Sequence, residues 1–247
     1  MPTASGRPPS DDVAWSALGR RLPLAVTLIA TAAILVAALT WQVNNDAGII
    51  RIDPRVLDWM IAHRGEPLTS IARVVTDLGD TLSMAILAAI TVAWFAWRRN
   101  WPTAMLVAVT SAGAGVLVVV VKRIVGRHRP PELTRLAVEP SLSYPSGHTL
   151  GTTVVVGIVA LTVIPGLRHT AVRVAATVFA VVFPIAVGLS RVYLGVHWFT
   201  DVLAGWNFGL FWLILCVTVF AWVYRDYSPA DQPTETTTVP NTAPDRR

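Results

Sequence analysis

Two residues four apart, His197 and Asp201, close the segment Ser190-Arg191-Val-Tyr-Leu-Gly-Val-His197-Trp-Phe-Thr-Asp201. At the start of a helix this spacing puts both side chains on one face. A carboxylate so placed can accept one imidazole N–H and fix the tautomer, leaving the other ring nitrogen free as a nucleophile. It also stabilises the cationic ring formed on attack. By itself the pair is more simply read as a surface ion pair.

A second segment, Pro145-Ser146-Gly147-His148, opens an apolar run. The amides of Ser146, Gly147 and His148 are expected to point outward from a helix start and form an anion site, with glycine allowing close backbone approach. His148 stands at its edge, suited to give a proton to a leaving oxygen. A plain turn with a helix-capping serine fits this segment equally well. Lys122, Arg129 and Arg191 meet a third need. A phosphoryl group in transfer spreads negative charge over three oxygens, which fixed cations stabilise. Arg can hold two oxygens at once, and Lys acts as a point charge. Lys122 is also the single lysine among 20 basic residues. Such charges beside a bilayer can instead hold lipid head groups without any chemistry.

The elements that must position these residues follow from composition. The chain has 247 residues, 53% hydrophobic and 14% charged, against roughly 25% charged in a soluble domain. Uncharged runs cover 22–45, 81–97, 100–121, 149–167, 174–190 and 202–224. Each is near the ~20 residues that cross a bilayer as a helix. The expected fold is therefore an all-α integral membrane protein of six transmembrane helices. The first run exceeds a signal-peptide core and is read as a retained span. Residues 1–19 and 226–247 read as disordered tails, leaving 20–225 as the membrane domain.

Arg20, Arg21, Arg98, Arg99, Arg168, Arg173 and Arg225 flank the connections on the side of the termini, which places those termini in the cytoplasm of a multi-pass plasma-membrane protein. All three polar segments then fall on the outer side. So does the long loop 42–80, in which Asp53-Pro54 reads as an N-cap followed by proline at the first helical position. Short interfacial helices are expected around 56–61 and from Pro67 to Leu78, with Gly79 ending the second. Trp94, Trp97, Trp101, Trp198 and Trp222 read as interfacial belt residues. Gly205 and Gly209 read as a helix-packing G-x-x-x-G.

The net charge of +5 is scattered between apolar runs rather than gathered on one face, so nucleic acid is not an expected partner. The one cysteine, Cys216, allows no disulfide within the chain and no thiolate metal site.

The ordered pattern K-x6-R-P, P-S-G-H and S-R-x5-H-x3-D resembles that of the type 2 phosphatidic acid phosphatase superfamily. It is complete at Lys122, Arg129 and Pro130, at Pro145 to His148, and at Ser190, Arg191, His197 and Asp201. The motifs span 122–201, and the span layout extends the likeness over about 22–225. The resemblance implies a six-helix membrane phosphatase with no catalytic metal or cofactor. His197 would form a phosphohistidine and Asp201 would orient it. His148 would protonate the leaving group and later activate water. Lys122, Arg129, Ser146, Gly147 and Arg191 would bind the phosphate. Soluble vanadium-dependent haloperoxidases share the motif, but the multiple spans argue against them. His63, His128 and His169 match no motif position.

The expected partner is a membrane lipid phosphate. A polyprenyl diphosphate such as undecaprenyl diphosphate comes first, with phosphatidate and phosphatidylglycerol phosphate as close competitors. A phosphotransferase passing the group to an alcohol, and a non-catalytic lipid transporter, are the readings from other classes. Oligomeric state leaves no mark on the sequence.

Overall fold

The computed structural model describes residues 22–224. The expected tails, with Arg20, Arg21 and Arg225, lie outside them. Among the described residues there are eight α-helices: α1 (Leu22–Asn44), α2 (Asp53–Ala62), α3 (Glu66–Leu78), α4 (Thr81–Trp97), α5 (Trp101–Val125), α6 (Gly147–Val163), α7 (Thr170–Tyr193) and α8 (Phe199–Tyr224).

Five of these are long and apolar enough to cross a membrane, with α6 extended to Gly166 by a 3-10 turn. The expected span at 81–97 is α4, which counts toward a total of six only when taken together with α3. At 17 residues, α4 reaches only about 25 Å at 1.5 Å per residue, short of a ~30 Å hydrocarbon layer. It continues α3 across a 43° bend, and the two together make up the sixth candidate span. Gly79 sits at this bend with φ −90°, so it is not there for a left-handed turn. A Cβ on it would lie 2.7 Å from the Val187 methyls, and the glycine lets α7 pack close.

α6 is the central helix, touching α4, α5, α7 and α8, while α1 packs along α8. Its buried face carries Thr149, Thr152 and Thr153. Thr152 and Thr153 donate to the carbonyls of His148 and Thr149, both at 2.7 Å, which satisfies their hydroxyls within the helix. The G-x-x-x-G expectation holds in detail: Gly205 faces Thr149 and Gly209 faces Thr153. Trp206 and Trp212 also pin α8, donating to the carbonyls of Pro184 (3.0 Å) and Thr110 (2.9 Å). Around this core the lateral surface exposes Leu, Ile and Val side chains from Leu24 to Val223, as suits a protein solvated by lipid.

The helix directions bring the end of α5, the start of α6, the end of α7 and the start of α8 to one end of the bundle. Every motif residue lies there.

Candidate active site

His197 precedes α8 by two residues and is 1% exposed; Asp201, in the first turn of α8, is fully buried. Asp201 Oδ2 accepts the Trp198 N–H at 2.9 Å, reaching back over the helix start as a capping side chain does. The same oxygen lies 3.4 Å from His197 Nδ1 and accepts the Ser143 hydroxyl. On the opposite edge of the ring, Nε2 is 3.1 Å from Arg129 Nη1. Arginine only donates, so Nε2 must present its lone pair and Nδ1 must carry the proton. Burial, aided by Arg129, pushes the imidazole down to about pKa 3 against the pull of Asp201. The ring is thus neutral, with its Nε2 lone pair held by Arg129 at the edge of a cation cluster.

The turn that delivers His197 depends on Gly195, whose φ is +72° and whose absent Cβ would meet the Thr134 carbonyl at 2.5 Å. Glycine alone meets both demands. Leu136 N–H adds a bond to the Leu194 carbonyl at 2.8 Å. The 131–137 segment is thereby tied to the turn that carries His197.

The three expected phosphate cations do converge, around residues 139–142. Lys122 Nζ donates to Ser141 Oγ at 3.0 Å and to the Leu142 carbonyl. Arg129 donates through Nε to the Ser141 carbonyl and through Nη1 to the Val196 carbonyl, both at 2.6 Å. Arg191 donates to Thr76 Oγ1 at 2.8 Å and pairs with Glu139. Arg129 also approaches Glu139, at 3.6 Å. Burial would raise the Glu139 carboxyl, but Arg191 and Arg129 outweigh that and hold it below the usual carboxylate range. Burial is also the main influence lowering Arg129, to about 10. Arg191 Nε is buried and has no hydrogen-bond partner. It is a donor poised for an acceptor the protein itself does not supply.

The P-S-G-H segment differs in part from expectation. Ser146 N–H does not face outward but donates to the Asp201 carbonyl at 3.0 Å. Its hydroxyl accepts from Thr149 Oγ1 at 2.9 Å. Ser146 is a strut between the starts of α6 and α8, which leaves the amides of Gly147, His148 and Thr149 as the first-turn donors with no acceptor within the helix. His148 is half-buried, its Nε2 at 3.4 Å from Asp80 Oδ1 at the α3–α4 bend. Between α4, α5 and α6 a cavity of about 680 Å³ lined by Ala85, Ala88, Ala112, Gly115 and Val155 runs up to Gly147 and Gly79.

Several polar residues of the site escaped sequence reading. Asp53 is not an N-cap: Ile52 holds that position, and the Asp53 carboxylate is buried against Arg127 and Thr200. Arg127 sits among the unspecified residues of K-x6-R-P, and Glu139 and Ser143 lie in coil outside every motif. Their only signal was charge or hydroxyl close in sequence to a motif. No group of three or more His, Cys, Asp or Glu side chains is placed to hold a metal ion among the described residues.

Fold and site together define a class: a membrane-type helical bundle with an imidazole–carboxylate pair facing a cradle of cations at one end. The PAP2 superfamily model matches residues 101–225, and the chain belongs to that superfamily. As a member it is a phosphatase, a hydrolase of the membrane. It is 31% identical over 148 residues to phosphatidylglycerophosphatase B of Bacillus subtilis, covering 58% of this chain and 70% of the relative. It is 36% identical over 155 residues to decaprenylphosphoryl-5-phosphoribose phosphatase of Mycolicibacterium smegmatis, covering 59% and 74%. Among solved structures, the transmembrane PAP2-type phosphatidylglycerolphosphate phosphatase of Bacillus subtilis superposes with a TM-score of 0.69 at 28% identity. That match covers 83% of this chain and 98% of the other.

Proposed function

We propose that this protein hydrolyses the terminal phosphate of a membrane lipid through a phosphohistidine on His197. The observation that carries the reading is the neutral, buried imidazole. Its Nδ1 faces Asp201, and its Nε2 lone pair points to the cradle of Arg129, Arg191 and Lys122. A phosphate entering the cradle would replace Glu139 between the two arginines and satisfy Arg191 Nε, with the Gly147 and His148 amides on its flank. Attack of Nε2 on phosphorus forms the N–P bond as the bond to the lipid oxygen breaks. His148 gives that oxygen its proton, then takes one from water as hydroxide attacks phosphorus and frees His197. Asp201 stabilises the ring while it is cationic.

Both curated relatives are named for phosphomonoesters carried on lipids. They favour a lipid monoester, such as phosphatidylglycerol phosphate, over the polyprenyl diphosphate that heads the sequence-based expectation. The site is read as facing outward, since Arg98, Arg99, Arg168 and Arg173 lie at the opposite, cytoplasmic end. On this reading α2, with Trp59 exposed, lies in the membrane surface.

The test is phosphate release by the purified chain in detergent with EDTA present. Phosphatidylglycerol phosphate, phosphatidate and undecaprenyl diphosphate are offered side by side, with His197→Ala as control. Release that vanishes in the variant supports the mechanism; release that persists in it removes His197 as nucleophile. For orientation, a cysteine placed at the fully exposed Leu133 should react with an impermeant thiol reagent in intact cells. Protection there would reverse the topology.

A further inference from the structure

Asp201 has two carboxylate oxygens, and only Oδ2 serves the imidazole. The other, Oδ1, accepts Arg127 Nη1 at 2.6 Å. The second arm of the same guanidinium, Nη2, reaches Asp53 Oδ2 at 2.7 Å. Thr200 closes the cluster: its N–H donates to Asp53 Oδ1 at 2.9 Å, its hydroxyl to Asp53 Oδ2 at 2.5 Å, and Arg127 Nη1 lies 2.8 Å from that hydroxyl. Asp53, Thr200 and Asp201 are 2%, 0% and 0% exposed. The guanidinium lies 5.7 Å from the Trp198 ring centre. None of these contacts involves the cation cradle, so Arg127 has a task separate from that of Lys122, Arg129 and Arg191.

We propose that Arg127 and Asp53 are positioning residues for catalysis, acting on His197 through Asp201. The proposal rests on the reading of His197 as nucleophile. A carboxylate can rotate about its Cβ–Cγ bond, and a bond to Oδ1 from a rigid fork fixes that rotation with Oδ2 turned toward Nδ1. Asp53 has an electrostatic part. Arg127 alone would neutralise Asp201 just when the ring becomes cationic. With Asp53 the three side chains carry a net charge of −1 and keep their pull on the charged ring. Burial works against the guanidinium, yet Asp201 and Asp53 together raise its pKa, so it stays charged throughout. Asp53 is the first residue of α2, and the segment between α1 and α3 is thereby wired to the catalytic carboxylate.

The full chain is tested in detergent with phosphatidylglycerol phosphate, measuring kcat, KM and the thermal midpoint for Arg127→Met, Arg127→Lys and Asp53→Asn. The expected result is a kcat loss on the order of 10- to 100-fold, the usual range when an orienting hydrogen-bond partner is removed, with KM within about threefold. Lysine, a point charge, cannot span both carboxylates and should restore less than a tenth of the lost rate. Asp53→Asn keeps the side-chain shape and its acceptor oxygen, so it serves as the deciding variant should Arg127→Met fail to fold. An unchanged kcat in folded Asp53→Asn, a rise in KM alone, or full rescue by lysine overturns the proposal. His197→Ala in the same assay separates the two ideas. Activity surviving there sinks the nucleophile reading, whereas an inactive His197→Ala beside a fully active Arg127→Met sinks only this one.

Discussion

Substituting Gly205 with alanine should uncouple catalysis from folding in a way that substituting Gly209 does not. The two glycines are one helical turn apart on α8 and make the same kind of contact with α6. A Cβ at 205 would lie 2.8 Å from Thr149 Cβ and 3.0 Å from the Ser146 carbonyl oxygen; one at 209 would lie 2.8 Å from Thr153 Cβ and 3.3 Å from the Leu150 carbonyl oxygen. Carbon atoms pack comfortably at about 3.5–4.0 Å, so each substitution asks the helices to part by roughly 0.7–1.2 Å. Overpacking of this size costs about 1–3 kcal/mol, and both variants should lose similar amounts of thermal stability. Their consequences for the site differ. At 205 the displaced atoms belong to Ser146 and Thr149, and Ser146 N–H holds the Asp201 carbonyl. A misplacement of about 1 Å at a reacting centre can cost ~100-fold in rate. Gly205→Ala should therefore lower kcat by one to two orders of magnitude, and Gly209→Ala by less than about threefold. Phosphate release and thermal midpoints on both purified variants check this. Equal losses of kcat, or a larger loss at 209, would refute the claim that the α6–α8 contact at Ser146 sets the site geometry.

Glu139→Gln removes the internal anion between Arg191 and Arg129. Inorganic phosphate or vanadate should then inhibit at about tenfold lower concentration, worth ~1.4 kcal/mol; an unchanged inhibition constant would show that Glu139 does not compete for the cradle. His197 imposes a pH dependence on stability. Its folded pKa of about 3 lies below the ordinary 6.5, so below 6.5 the unfolded chain takes up a proton that the folded chain refuses. Stability contributed by the neutral ring is present above 6.5 and is lost as pH falls toward 3. Between pH 7 and pH 5 this amounts to about 2 kcal/mol. His197→Ala should lose correspondingly less on acidification in thermal melts, and parallel curves for the two proteins would contradict a buried, neutral imidazole.

What could be read in advance was whatever lipid solvation or a fixed spacing imposes. The long apolar runs announce their helices because a bilayer demands uninterrupted apolar length. The His197–Asp201 pairing was legible too, though not as two residues on one helix face: His197 lies just before α8, and Asp201 in its first turn reaches back to it. Asp53 was misread because Asp-Pro before an apolar run looks the same whether the carboxylate caps its own helix or pairs with an arginine 74 residues away. Glu139 and Ser143 lie in coil, where no periodicity says which way a side chain points. Gly79 ends α3 as expected, but nothing in the sequence says that α4 resumes after a 43° bend or that the glycine also makes room for Val187.

The side chains proposed to react stand at one end of the bundle, and a cavity of about 680 Å³, lined mainly by alanine, glycine and valine, leads to that end from between the helices. A lipid drawn wholly out of a bilayer would expose its tails at about 0.8 kcal/mol per methylene, over 20 kcal/mol for some 30 of them. On the proposed function, a site reached from between the helices would need no extraction: the phosphate would meet the cradle while the tails stay in an apolar environment. Encounter then becomes diffusion in a plane. The concentration that governs the rate is the mole fraction of substrate in the bilayer or micelle, and diluting the substrate with inert lipid should slow the reaction while adding water should not.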